Sequence, residues 1–206
     1  MINIKNLHKS FGSKVVLEGV DLSIEDGTTT CIIGKSGCGK SVLLKHIVGL
    51  LEPDRGSVEI DGRVVGEMRK KELFEMRRSI GYVFQGAALF DSYTIFENTV
   101  IGLYEHGHRD MAKLETEAQR VLSAVGLIPD TSERGSEFFE REWQILKNKK
   151  PSDLSGGMRK RVGVARALVG EPMYVFYDEP TTGLDPVTSE QIDDLIGILA
   201  QKLRVT

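Results

Sequence analysis

Apolar and polar positions alternate near the start of the chain, at Ile2/Ile4 and again at Val20/Leu22/Ile24. A period of two predicts half-buried antiparallel strands. Between them Lys9-Ser10-Phe11-Gly12 puts an aromatic on a turn, where it is either a core plug or a ligand contact. Residues 28–33 (TTTCII) predict a short strand buried on both faces, and residues 41–51 (SVLLKHIVGLL) a helix apolar on nearly every side. A turn at 52–56 returns the chain to alternation over 57–60. Asp61-Gly62 then signals a hairpin. A charged helix over 67–78 precedes a second buried strand, 80–84, which ends at Gln85.

Residues 86–165 read as helix and loop. Asp110 is placed to cap a helix whose positions Met111, Leu114, Ala118, Val121, Leu122 and Val125 repeat with the helical period until Gly126 closes it. Residues 131–150 are charged, end in Lys147, Lys149 and Lys150, and hold the single tryptophan. They read first as a solvated surface insertion. Phe139, Trp143 and Leu146 would otherwise form one apolar face toward a partner or a membrane surface. Leu154-Ser155-Gly156-Gly157-Met158 opens a further helix through Val169, and residues 173–177 form a third buried strand running into Asp178-Glu179-Pro180. The last helix carries Ile192, Leu195, Ile196, Leu199 and Leu203 on one face.

Chemistry enters between the first buried strand and its helix. Gly34-Lys35-Ser36-Gly37-Cys38-Gly39-Lys40-Ser41 fits G-x-x-x-x-G-K-[ST], a phosphate-cradling loop. Glycines remove the Cβ atoms that would block the backbone, so successive N–H groups face inward as an anion nest. The helix starting at Gly39–Lys40 adds the positive end of its dipole. Lys40 reaches the β- and γ-phosphates in such a loop, and the Ser41 hydroxyl ligates Mg²⁺. A strand before the loop and a buried helix after it are the context that separates this reading from a chance glycine-rich turn.

Composition changes the picture little. The chain has 206 residues, 40% hydrophobic and 28% charged, with a net charge of −3. That suits one core, with room for a smaller lobe. No apolar run reaches the ~20 residues needed to span a bilayer, and the N-terminus lacks a signal-peptide core, so a cytoplasmic location is expected. The near-neutral charge argues against nucleic acid as an obligate partner. The two cysteines, Cys31 in the expected buried strand and Cys38 in the loop, make no zinc framework and read as reduced thiols.

Asp178 and Glu179 end a strand. An Asp there holds Mg²⁺ through water, and a neighbouring Glu polarises an attacking water. An acidic pair alone is as often structural. Ser155 is a good N-cap, and Gly156 and Gly157 leave helix N–H groups open to an anion. The loop, the Gln after a strand, Leu-Ser-Gly-Gly and strand-Asp-Glu occur in that order over essentially the whole chain. With them the sequence resembles the nucleotide-binding subunit of ATP-binding cassette (ABC) transporters. The resemblance implies an α/β fold: a P-loop NTPase (RecA-like) core with an antiparallel β subdomain, over 1–85 and 166–206, and an inserted α-helical signature subdomain over 86–165.

It further implies ATP and Mg²⁺ as cofactors, and roles residue by residue. Phe11 would stack on adenine, with Val16 flanking the ring. Gly34, Lys35, Ser36, Gly37, Cys38, Gly39, Lys40, Ser41 and Val42 would hold the phosphates. Gln85 would sense Mg²⁺ and the attacking water and touch the transmembrane partner. Ser155, Gly156 and Gly157 would close on the γ-phosphate bound by a second copy. Asp178 would support Mg²⁺ alongside Ser41 and Gln85, Glu179 would be the catalytic base, and Asp185, in Thr182-Gly183-Leu184-Asp185, would couple the two sites. The implied assembly is a head-to-tail homodimer on a membrane permease, peripheral on the cytoplasmic face of the membrane.

GKSGCGKSVLLKHIVGLLEPDRG, FQGAALFDSYTIFEN, LSGGM and FYDEPTTGLDPVTS are similar to the Mla branch, whose cassettes energise lipid or phospholipid transport with an MCE-domain partner. The family also expects a strand and a switch histidine soon after the last helix. The given sequence stops at Arg204-Val205-Thr206, where that strand would begin, and His8, His46, His106 and His108 lie elsewhere. Relative to the family it is C-terminally truncated, from which weak hydrolysis and weak dimerisation are expected. The alternatives from other classes are a soluble ABC ATPase of DNA repair or translation, and a non-hydrolysing ATP-binding regulatory module. Within transporters the alternative is a different substrate.

Overall fold

The computed structural model describes residues 1–203 and 205–206, for Leu203 the backbone alone. Contacts group these residues into two compact units, Met1–Ile80 with residues 205 and 206, and Gly81–Leu203.

The first unit is built on a four-stranded antiparallel sheet in the order β2-β1-β3-β4: β1 (Ile2–Phe11), β2 (Lys14–Ile24), β3 (Arg55–Ile60) and β4 (Arg63–Val64). The alternation sets its register. Ile2 sits opposite both Ile24 and Ile60, and Ile4 opposite Leu22 and Val58. Ile2, Ile4, Leu7, Leu17, Ile24, Val58 and Ile60 are buried as a result. β1 is irregular after Ile4, and Asn6 there has a φ of 45°. At that place Gly56 of β3 comes so near that a Cβ would lie 2.1 Å from the Asn6 carbonyl oxygen, so no other residue fits without moving the strand. Asp61 and Gly62, at φ of 50° and 78°, make the expected tight β3–β4 turn.

Helix α1 (Lys40–Ile47) follows the phosphate loop and packs on β3, burying Leu43, Leu44, His46 and Ile47. It is shorter than the apolar run suggests. Gly49, at φ 68°, reverses the chain where a Cβ would lie 2.7 Å from Leu73. Arg77 of α2 (Lys70–Arg78) donates to the carbonyls of Val48 at 3.0 Å and Gly49 at 2.8 Å, satisfying the end of α1.

One expected element is absent. Residues 28–33 form no strand. Ile33 is 90% exposed and Cys31 is exposed rather than buried. An apolar run becomes a strand only when neighbours take up its N–H and C=O groups, and among the described residues no strand pairs with it.

The second unit pairs β5 (Ile80–Val83) with β6 (Tyr174–Tyr177) and, among the described residues, carries the α-helices α3 (Ile95–Glu105), α4 (Met111–Ala124), α5 (Glu137–Lys147), α6 (Gly156–Leu168) and α7 (Pro186–Leu203). Capping fixes several starts. Thr94 and Glu97 form a reciprocal box on α3, Asp110 accepts from the Lys113 N–H on α4, and Ser136 accepts from the Phe139 N–H on α5. The 131–150 stretch is neither a solvated insertion nor an open apolar face. Phe139, Trp143 and Leu146 are 0%, 1% and 4% exposed, and Trp143 meets Phe96 of α3 edge-on at 6.1 Å between ring centroids. The helix turns its stripe inward because burying it stabilises the unit by roughly 2 kcal/mol per large side chain. Of the α7 stripe, Ile192, Leu195 and Leu199 are buried. The side chain of Leu203 and the strand start expected at Arg204 lie outside the described residues, and Val205 and Thr206 carry no regular structure.

Candidate functional site

The phosphate-loop residues gather in the first unit. Gly39 precedes α1 at φ 108°, in the left-handed region, and a Cβ there would lie 3.0 Å from both Val16 and Leu17. A Cβ on Gly34 would lie 2.5 Å from the Cys38 sulfur. The space a side chain would fill is therefore taken up by close chain turns, the condition for a backbone anion cradle. The Lys40 ammonium lies along the loop, donating to the carbonyls of Gly34 at 3.0 Å and Lys35 at 3.3 Å. An arriving triphosphate offers that ammonium stronger, charge-assisted partners. The loop residues from Lys35 to Cys38 are exposed, as a cradle for a soluble ligand must be. Val16 lies against Gly39, and Phe11, 48% exposed at the end of β1, has the Lys9 ammonium 5.7 Å from its ring centroid. Its exposure removes the core-plug reading. The residues present fit a nucleoside triphosphate.

The acidic pair lies in the second unit. Asp178 follows β6 and continues its pairing, its N–H donating to the Val83 carbonyl at 2.9 Å. The Tyr82 hydroxyl donates to Asp178 Oδ2 at 3.0 Å. Burial, then the charge of Asp178 and their hydrogen bond, push the tyrosine pKa up, so the phenol remains a donor at any working pH. Glu179 is left-handed at φ 49°, which costs on the order of 1 kcal/mol for a residue with a Cβ. Contacts hold it there. The Gln85 amide donates to Glu179 Oε2 at 3.2 Å, the Thr182 hydroxyl donates to the same oxygen at 3.2 Å, and the Thr182 N–H donates to the Glu179 carbonyl at 3.2 Å. Strain kept in place by a small network of polar groups is common at reacting centres.

A third group assembles where two helices begin. Ser155 caps α6, accepting from the Met158 N–H at 3.2 Å. A Cβ on Gly157 would lie 2.8 Å from the Thr188 methyl of α7, so only glycine lets the two starts approach. Asp185 accepts from the Thr188 hydroxyl at 2.6 Å and its N–H at 3.0 Å, and these bonds hold its carboxyl below the usual range. Ser155, Gly156, Gly157, Gly183, Leu184 and Asp185 line one cleft of about 380 Å³.

Gln85 thus meets Glu179, and the Ser155–Gly157 turn meets Asp185, as two constellations within one unit. Residues that motif reading missed are Tyr82, Lys160 and Arg166. Lys160, 7% exposed on α6, donates to the Gln85 backbone carbonyl. Arg166 donates to the carbonyls of Ala87 at 2.7 Å and Ala88 at 2.9 Å. The signal for Lys160 and Arg166 was the basic helix after the glycines; Tyr82, inside β5, carried none.

The pattern of the ABC transporter family matches residues 17–182 of the chain. The chain belongs to the ABC transporter family. Among curated relatives of this cassette, the "Probable ribonucleotide transport ATP-binding protein mkl" of Mycobacterium leprae is 42% identical over 195 residues, covering 95% of this chain and 52% of that protein. The "Intermembrane phospholipid transport system ATP-binding protein MlaF" of Haemophilus influenzae is 35% identical over the whole chain and 72% of its own length. Among solved structures, a dimeric ABC cassette in a post-hydrolysis state, bound to ADP and Pi, superposes with a TM-score of 0.80 at 32% identity, covering 98% of this chain and 84% of that one. The chain spans about half the length of the first of these relatives. The fold is that of the cassettes, with the antiparallel sheet and the helical elements the motifs imply. No described helix is long and apolar enough to cross a membrane.

Proposed function

We propose that the chain is the ATP-binding and hydrolysing part of an ABC transporter that moves lipid or phospholipid through a membrane permease. The observation that carries the hydrolytic reading is the left-handed Glu179 carboxylate bonded by Gln85 and Thr182. Gly34 through Ser41, with Val42 following, hold the phosphates, and Phe11 and Val16 take the adenine. Ser41, Asp178 and Gln85 would hold Mg²⁺, which when bound neutralises phosphate charge. Glu179 accepts the proton of the attacking water, and Gln85 orients that water. Ser155, Gly156 and Gly157 of a second copy supply N–H groups to the γ-phosphate in a head-to-tail homodimer, and Asp185, held just before α7 by its bonds from Thr188, relays closure between the sites. The dimeric relative bound to ADP and Pi supports this assembly. The permease places the protein on the cytoplasmic face of the membrane, with an MCE-domain protein as a further partner.

Replacing Glu179 by Gln in the full-length protein should lower ATP turnover at least about a hundredfold, keep ATP binding, and accumulate a dimer on size-exclusion chromatography with ATP–Mg²⁺. Unchanged turnover would remove Glu179 from the mechanism. The lipid assignment rests on the Mla-like stretches and the similarity to MlaF. The relative from Mycobacterium leprae, named for ribonucleotide transport, favours a second reading. Purification of the complete transporter from membranes, with mass spectrometry of what it carries, separates the two: bound phospholipid supports the first, bound nucleotide monophosphate the second.

A further inference from the structure

The turn after Gln85 has an unusual backbone. Ala87 and Ala88 are consecutive and both left-handed, at φ of 61° and 47°, though neither is glycine. Left to itself such a turn relaxes, because a Cβ disfavours that region at each step. Here three anchors come from α6. The Lys160 ammonium binds the Gln85 carbonyl, and the Arg166 guanidinium binds the carbonyls of Ala87 and Ala88 at 2.7 and 2.9 Å. Between these two side chains, Gly163 lets the turn approach: a Cβ there would lie 3.2 Å from the Ala87 Cβ. Ala87 is 2% exposed against the helix, and its N–H is tied to the Phe84 carbonyl at 3.0 Å. The side chain of Gln85, by contrast, points away from this clamp to Glu179.

We propose that Lys160 and Arg166 are positioning residues for hydrolysis, clamping the Gln85–Ala88 turn by its carbonyls from α6 and thereby setting the Gln85 amide against Glu179. The clamp rests on the reading of Glu179 as the base. It ties the helix that opens at Ser155 and the glycines to the residue that touches the carboxylate, through side chains bonded to the backbone of the turn. Burying an ammonium ion is unfavourable unless it is bound, and Lys160 is desolvated in α6 for the sake of one backbone oxygen. Burial also lowers its pKa from the usual lysine value.

The test uses the full-length protein with Lys160→Met, which keeps length and loses the donor, and Lys160→Arg, which keeps a cationic donor. Two readouts are taken: steady-state ATPase kinetics, and amide hydrogen exchange at Ala87. For Lys160→Met the expected result is a kcat about tenfold lower, a KM for ATP within twofold of the original, and Ala87 exchange at least tenfold faster, with α6 amides unchanged. Lys160→Arg should restore at least half of the lost kcat. Where the methionine variant fails to fold, Arg166→Lys, which keeps one of two anchors, should show the same kcat-only loss. A kcat unchanged in a variant whose Ala87 exchange has risen would overturn the positioning role. Unchanged exchange would overturn the clamp itself. A Glu179→Gln protein with full turnover would instead sink the base assignment, and the clamp would then stand or fall on the exchange data alone.

Discussion

At the scale of single residues, the polar contacts around the acidic pair divide between orientation and chemistry. Tyr82 donates to one oxygen of Asp178 and never ionises in the working range, so its role is to fix the carboxylate. A hydrogen bond to a charged group contributes about 1.5 kcal/mol, roughly tenfold in an equilibrium constant. Tyr82→Phe should therefore raise the Mg²⁺ concentration for half-maximal turnover by up to about tenfold while ATP affinity without metal stays the same; an unshifted Mg²⁺ titration would show that Asp178 needs no such support. Motif reading found Asp178 and Glu179 because their place after an apolar strand is local. It missed Tyr82 and Lys160 because their partners are 96 and 75 residues away in sequence. No periodicity encodes a side chain that meets a distant carbonyl.

At the scale of elements, caps and stripes were legible and pairing was not. Asp110 and Ser155 start helices where local hydrogen-bonding logic puts them. Residues 28–33 carry an equally plain apolar run, yet they form no strand, since a ladder needs a partner and propensity supplies none. The converse error was α5, whose charges suggested a solvated insertion although its stripe of Phe139, Trp143 and Leu146 is buried. Phe139→Ala should destabilise the helical unit by about 3–5 kcal/mol in urea denaturation. A change near zero would return the segment to the surface. The Glu117–Arg120 pair on α4 gives a pH dependence. Burial alone would raise the Glu117 pKa, but the hydrogen bond to Arg120, the Gly170 N–H at 2.8 Å and the arginine charge outweigh it and lower it. A carboxyl with a lowered folded pKa contributes stability above its ordinary value of 4.5, and that contribution is lost as pH falls through the folded value. The urea midpoint should drop with acid below that point, and drop less in Glu117→Gln; parallel curves would assign the acid sensitivity elsewhere.

At the scale of the whole molecule, the proposed head-to-tail dimer requires the phosphate loop of one copy to face the α6 start of another. Cys38 is an exposed thiol within that loop, which makes the arrangement measurable. With Cys31→Ser to remove the other exposed thiol, Ser155→Cys should give a covalent dimer on treatment with a short bismaleimide in the presence of ATP, and little without nucleotide. Equal cross-linking with and without ATP, or none at all, would count against that dimer. Family and fold were readable from four ordered motifs, since each marks a backbone shape or a charge that ATP itself demands. Which atoms steady those motifs was not, because that depends on α6, β5 and β6 being packed together.

The burial of Trp143 also supplies a spectroscopic handle. It is the single tryptophan in the chain, 1% exposed, and held edge-on to Phe96 inside the helical unit. Its emission is therefore a private report on that unit, blue-shifted while α5 is docked and red-shifted once water reaches the indole. Circular dichroism, by contrast, sums over both units. Denaturation followed by the two signals in parallel gives coincident curves if the units melt together and separated curves if the helical unit opens on its own, so an intrinsic fluorophore reports on that unit without any label.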